Sequence, residues 1–159
     1  MNTNAKPSRI RRDLTITRRL AAPRALVFRA WTDPKHLAQW FGPRGFTIPE
    51  CAVDARVGGG LTIVMRAPDG ARHPMRGIFQ EVVRDERLSF TNIALDADGE
   101  KLLEGVTTVT FEDEGGGTRM TLTTYAEGAA GIVERMLDGM DAGWRQTLDK
   151  LAEHLDGSA

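Results

Sequence analysis

The sequence predicts an α+β fold: a curved antiparallel sheet of about seven strands wrapped round one long C-terminal helix, with two short helices after the first strand. Three observations predict it. Apolar and polar residues alternate in separate short stretches between Leu14 and Thr124. Short turn-forming segments join most of these stretches, and strands joined that way pair antiparallel, because parallel pairs need long crossovers. From Ile132 onward the period changes: Ile132, Met136, Met140, Trp144, Leu148, Leu151 and Leu155 recur at three- and four-residue steps, as on one face of a helix.

Residues 1–12 are polar, basic and without periodicity, which predicts a disordered tail ahead of a single domain over 13–156. Lys6, Arg9, Arg11, Arg12, Arg18, Arg19 and Arg24 face only one acid, Asp13, within the first 24 residues. Two readings fit this cluster: an arm for an anionic partner, or a solvated tail leading into the outer face of a first strand. Leu14, Ile16 and Leu20 alternate with Thr15, Thr17 and Arg19 as that strand. Pro23 is placed at the first position of a short helix, where its fixed φ fits, and Val27, Ala30 and Trp31 follow at helical spacing. Asp33-Pro34 starts a second short helix, with Asp33 as cap and Pro34 in the first turn. Leu37, Trp40 and Phe41 form its apolar face, and Gly42-Pro43 ends it. Isolated helices below ~12–15 residues are marginal, so both need a larger surface to hold them.

Six more strands are expected. Cys51, Val53, Ala55 and Val57 share one face of the next, and Gly58-Gly59-Gly60 connects to Leu61, Ile63 and Met65. Pro68-Asp69-Gly70 is a turn, followed by Met75, Gly77 and Phe79 on one parity. Arg84 to Arg87 turns the chain into Leu88 and Phe90; Thr107, Val109 and Phe111 follow, and the glycine-rich turn 112–117 leads into Met120, Leu122 and Thr124. The helix after Ile132 should span about six or seven turns. Gly139 and Gly143 within it cost ~1 kcal/mol each relative to alanine, a cost offset by close packing or by room left for something else.

The composition narrows the function classes. A net charge of −1 over 159 residues argues against nucleic-acid binding. No apolar stretch approaches the ~20 residues of a membrane span, and the N-terminus lacks the apolar core of a secretory signal. Cys51 is the sole cysteine, which fits a reduced, cytoplasmic setting and a small buried hydrophobe more than a nucleophile. His36, His73 and His154 have no metal-ligand spacing, and neither glycine triplet has the context of a phosphate loop. No metal and no cofactor is expected.

The run Ala22-Pro23, Val27-Phe28, Ala30 to Pro34 and Trp40, together with Val57-Gly58-Gly59, Gly77, Glu86-Arg87-Leu88, Thr107 to Phe111 and Gly143-Trp144, resembles the heat-shock-protein-90 ATPase activator-like family of the START-like (SRPBCC) superfamily. The resemblance covers roughly residues 13–156. It implies the helix-grip fold, with a deep and mostly apolar pocket between the sheet and the C-terminal helix. Pockets of that superfamily take hydrophobic small molecules.

Strand parity and helical phase then give the expected cavity wall: Met65, Met75, Phe79, Phe90 and Phe111 from the strands, and Met136, Met140 and Trp144 from the helix. Trp40 and Phe41 are expected at the rim or as a lid. The leading expectation is a binding protein for a hydrophobic small molecule. A cyclase- or dehydratase-type enzyme is the alternative, for which His73, Glu81 and Tyr125 are the weak catalytic candidates. His73 and Glu81 share parity with Met75 and Phe79, yet lie ~26 Å apart along a regular strand and cannot act as a pair. Tyr125 lies on the opposite parity from Leu122. A third expectation is a co-chaperone-like or regulatory partner protein, which predicts an exposed apolar or charged patch, with Trp40 and Phe41 as candidate members. A homodimer is compatible with all three.

Overall fold

The computed structural model describes residues 8–157, so the disorder expected for residues 1–7 lies outside the described residues. Seven strands are present: β1 (Arg9–Leu20), β2 (Thr47–Val53), β3 (Gly60–Arg66), β4 (Arg72–Val83), β5 (Arg87–Leu95), β6 (Lys101–Glu114) and β7 (Gly117–Ala129). Helices α1 (Arg24–Thr32) and α2 (Pro34–Trp40) follow β1, and α3 (Glu134–Asp138) and α4 (Met140–Gly157) follow β7. The strands form one antiparallel sheet in the order β1-β7-β6-β5-β4-β3-β2. This is the curved-sheet α+β architecture expected.

The order has one direct consequence. β1 and β2 are consecutive along the chain but form the two opposite edges of the sheet. The α1–α2 segment must therefore cross the whole sheet. It packs against β6 and β7 through α1, against β2 through α2, and against α4 through both. Asp33 makes the break between the two helices: its side chain accepts from the Lys35 N–H at 2.9 Å, and Pro34 occupies the first turn of α2. Pro23 is the N-cap of α1, one position earlier than its sequence context implies.

Several boundaries differ from expectation. β1 begins at Arg9, and residues 9–12 pair with 126–129 of β7, so this part of the basic segment is strand. Its arginines are taken up by acids: Arg9 with Glu104, Arg12 with Asp138, Arg18 with Asp149 and Arg24 with Asp113. Arg9 lies on the outer face as expected, whereas Arg12 and Arg18 share the parity of Ile16 and Leu20 and reach acids of α3 and α4 from the helix-covered side of this edge strand. β2 ends at Val53, and Ala55 and Val57 lie beyond it, with Val57 exposed. The strand instead reaches back through Pro49, which an edge position tolerates because it needs no ladder donor there. The single long C-terminal helix is interrupted at Gly139, which caps the short α3. Ile132 precedes α3 and is 66% exposed, so the stripe does not continue back to it.

The core fills the half of the groove beneath the C-terminal part of α4. Leu148, Leu151 and Leu155 pack there with Leu37, Trp31, Trp40, Phe79, Phe111, Val109 and Leu122. Trp31 meets Trp40 edge-on at 4.8 Å, and the Trp40 Nε1–H donates to the Ala30 carbonyl at 3.0 Å. His36 Nδ1 lies 2.9 Å from His154 Nε2, joining α2 to α4 through a shared proton. Burial, and then the charge of His36, push the His154 pKa down.

Curvature is set where backbones approach most closely. A Cβ on Gly77 would collide with the Thr91 carbonyl of β5, and one on Gly105 with the Tyr125 carbonyl of β7. At the first of these points the Ile78 N–H donates to the Thr91 hydroxyl at 2.8 Å. Gly77→Ala and Gly105→Ala should therefore each lower Tm by several degrees, while Gly60→Ala, with nothing within 4 Å, leaves it near the wild-type value; differential scanning calorimetry distinguishes these outcomes. A second outcome concerns pH. With the His154 pKa lower in the folded than in the unfolded chain, the unfolded state binds the proton more readily, and stability from the pair is present above ~6.5 and lost as pH falls below it. Tm measured from pH 7.5 down to 5.5 should fall more steeply in the wild-type protein than in His154→Gln.

Candidate functional site

The half of the groove beneath the N-terminal part of α4 is not filled. A cavity of about 280 Å³ lies there, partly open to solvent. Its sheet wall follows from strand parity. Phe90, Asn92 and Ala94 project from β5 onto one face, joined by Met65 of β3, Met75 of β4, Leu103 of β6, and Thr124 and Ala126 of β7. The opposite wall is Met140, Gly143, Trp144 and Thr147 of α4, with Met136 and Leu137 of α3 and Gly139 between the helices. Phe41, Gly42 and Pro43, which leave α2, complete the rim. Met136 both lines the cavity and is 40% exposed, which places an opening beside α3.

Of the ten side chains expected in the wall, the structure brings seven together here: Phe41, Met65, Met75, Phe90, Met136, Met140 and Trp144. The other three lie in the packed half. Trp40 is wholly buried and hydrogen-bonded to the backbone of α1, so it is neither rim nor lid. Phe79 packs edge-on against Phe90 at 5.8 Å, behind the wall, and Phe111 packs edge-on against Phe28 at 5.8 Å. Phe41 is only 6% exposed, so neither Trp40 nor Phe41 belongs to an exposed patch of the kind a co-chaperone reading predicts.

The three weak catalytic candidates stand apart from the cavity. A bulge between Phe79 and Glu81 shifts the register of β4 on β5, which turns Glu81 away from the concave face; it pairs instead with Arg87 at 3.0 Å. His73 is paired with Met65 across β3 and β4 but lies at the exposed end, near the Phe46 ring. Tyr125 alternates with the lining residues Thr124 and Ala126 and faces outward, with the Arg11 guanidinium 3.8 Å above its ring.

The electrostatics of the wall are simple. None of its side chains is ionisable. Lys150, which is not part of the lining, donates to the carbonyl of the rim residue Gly42 at 3.1 Å; burial, and then Arg44, lower its pKa. The Cys51 thiol sits half-buried on the edge strand β2, and burial pushes its pKa up, away from thiolate chemistry. Among the described residues, no group of three or more His, Cys, Asp or Glu side chains is placed to hold a metal ion.

Sequence reasoning missed the polar members of the wall. Asn92, Thr124 and Thr147 line the cavity, and Thr107 lies directly behind, its hydroxyl bonded to both Asn92 and Thr124. A signal exists in the alternation of β5, where Leu88, Phe90, Asn92 and Ala94 share one parity. Gly143 carries a helix cost of ~1 kcal/mol relative to alanine. A Cβ there would meet only the Pro43 ring, at an ordinary 3.7 Å, so close packing does not require glycine; its place in the wall leaves space.

Comparison with known proteins agrees with this architecture. The family model described as activator of Hsp90 ATPase homolog 1-like protein matches residues 21–156. A solved structure from Nitrosomonas europaea is 31% identical and superposes with a TM-score of 0.75, over 92% of this chain and 95% of that one. One from Rhizobium leguminosarum is 29% identical with a TM-score of 0.83, over 96% and 99% of the two chains. The AHSA1 protein from Silicibacter pomeroyi is 26% identical with a TM-score of 0.78, over 93% and 100%. No curated protein matches the chain. The match over residues 21–156 spans most of the chain, which belongs to the activator of Hsp90 ATPase homolog 1-like family.

Proposed function

We propose that the protein is a carrier or sensor for a small hydrophobic molecule held between the sheet and α4, acting by binding rather than by chemistry. The observation that carries this reading is a cavity of about 280 Å³ whose lining has no ionisable side chain. Its size is near the lower end of the ~300–1,000 Å³ of small-molecule sites, which points to a compact ligand. Four methionines, Met65, Met75, Met136 and Met140, contribute to the wall; their flexible, polarizable side chains adapt to irregular apolar shapes. General acid–base catalysis needs a titratable group within hydrogen-bond reach of the reacting atoms, and the wall offers none. The lone cysteine fits a cytoplasmic setting, and no helix among the described residues is long and apolar enough to cross a membrane.

Naphthalene is a suitable neutral probe. Titrated into protein labelled at the methionine methyl groups, it should shift the resonances of the four wall methionines saturably. The resonance of Met120, which is fully buried in the core, should stay in place. Equal shifts at Met120, or none at the wall, would contradict the reading.

Gly143 supplies a second test. Gly143→Ala should stabilise α4 by ~1 kcal/mol, raising Tm by about 2–4 °C, while weakening naphthalene binding several-fold because the new methyl group occupies cavity space. Lower stability with unchanged binding would show that this glycine serves packing instead.

A further inference from the structure

We infer that the cavity selects a neutral ligand bearing a carbonyl oxygen, which accepts a hydrogen bond from the side-chain amide of Asn92. This rests on the binding reading above and narrows its ligand class.

Asn92 stands at the middle of the sheet with a glycine level with it on each neighbouring strand. Its partner on β6 is Gly105, and on β4 Gly77 falls level with it, between the pairs Arg76–Ile93 and Phe79–Phe90. The two glycines leave room beside the amide, which lines the cavity. Its orientation is fixed from behind. The Thr107 hydroxyl donates to Asn92 Oδ1 at 2.9 Å. A hydroxyl has one proton, so the 2.8 Å contact between Thr107 and Thr124 must be a donation from Thr124. Thr107 and Thr124 are both buried, which makes the relay costly to leave unsatisfied.

Following the protons shows what remains. Thr124 gives its proton to Thr107, Thr107 gives its own to Asn92, and Thr147 donates to the Gly143 carbonyl of its own helix at 2.8 Å. Two side-chain donors in the wall keep protons that no group among the described residues accepts: the Trp144 indole N–H on the helix side, and the Asn92 Nδ2 group on the sheet side, which the threonine relay holds in place. A carbonyl oxygen matches the Asn92 amide. A carboxylate would also accept, but no cation lines the cavity to compensate its charge, and an unpaired charge in an apolar site is costly.

Three naphthalenes of the same outline separate these cases: 2-acetylnaphthalene, 2-isopropenylnaphthalene and 2-naphthoate. The methionine-methyl titration gives their affinities, and the Asn92 side-chain amide resonance, in ¹⁵N-labelled protein, reports contact with the oxygen. In the wild-type protein the ketone should bind about tenfold more tightly than the isopropenyl hydrocarbon, the scale of one net hydrogen bond to a donor that has no protein acceptor. Naphthoate should bind more weakly than either at pH 7.5. The ketone alone should move the Asn92 amide protons downfield. Asn92→Leu, nearly isosteric, should bring ketone and hydrocarbon to equal affinity. Equal affinities in the wild-type protein, or tightest binding by naphthoate, would overturn the inference while leaving the apolar cavity intact as a binding site; those comparisons need no variant to fold. Failure of all three compounds and of naphthalene itself to shift the wall methionines would overturn the binding reading, and this inference with it.

Discussion

The fold depends on the burial of Trp31. This one side chain of α1 touches three other layers: Trp40 of α2 at 4.8 Å, Phe90 of β5 at 6.3 Å and Trp144 of α4 at 6.5 Å. Among the described residues no partner satisfies its buried indole N–H, which costs about 1–3 kcal/mol. Taking ~150–250 Å² of aromatic surface out of water contributes roughly 4–6 kcal/mol at 25 cal/mol per Å², and ring pairs add about 0.5–1.5 kcal/mol each. Packing therefore outweighs the unmade hydrogen bond. Two helices too short to persist alone are held because their aromatic residues share this one cluster.

The same cluster decides where the cavity lies. A single 18-residue helix must cover a sheet whose opposite edges are consecutive strands of the chain. At one end of the groove the α1–α2 crossing supplies Trp31, Trp40 and Leu37, and the interior closes. At the other end no such insertion occurs, α4 carries Gly143 near its start, and the chain breaks at Gly139. Phe90 and Trp144 form the boundary: each packs against Trp31 on one side and lines the cavity on the other. Filled core and open site are thus two halves of one groove, separated by a layer of aromatic rings.

Much of this was legible in the sequence. Period-two alternation and turn chemistry located all seven strands, and Asp33-Pro34 located the break between α1 and α2 with its cap. What was not legible depended on register and on position along the groove. Parity identifies the face a residue takes but not how far along that face the core gives way to space, so Phe79 and Phe111 have the inward parity of Phe90 yet lie in the packed half. Glu81 shares the parity of Phe79 in sequence, and a bulge between them cancels it. The Asn92–Thr107–Thr124 relay joins three strands, and no local pattern marks such a contact.

The central claim is that this groove holds an apolar space able to receive a small molecule, and diffraction from a crystal pressurised with xenon tests it most directly, because xenon enters apolar cavities that are truly empty. The account predicts a bound xenon between Trp144, Met75 and Leu103, with the aromatic cluster around Trp31 undisturbed. Side chains of Met136, Met140 and Trp144 collapsed onto the sheet, with no xenon between α4 and β5, would contradict it.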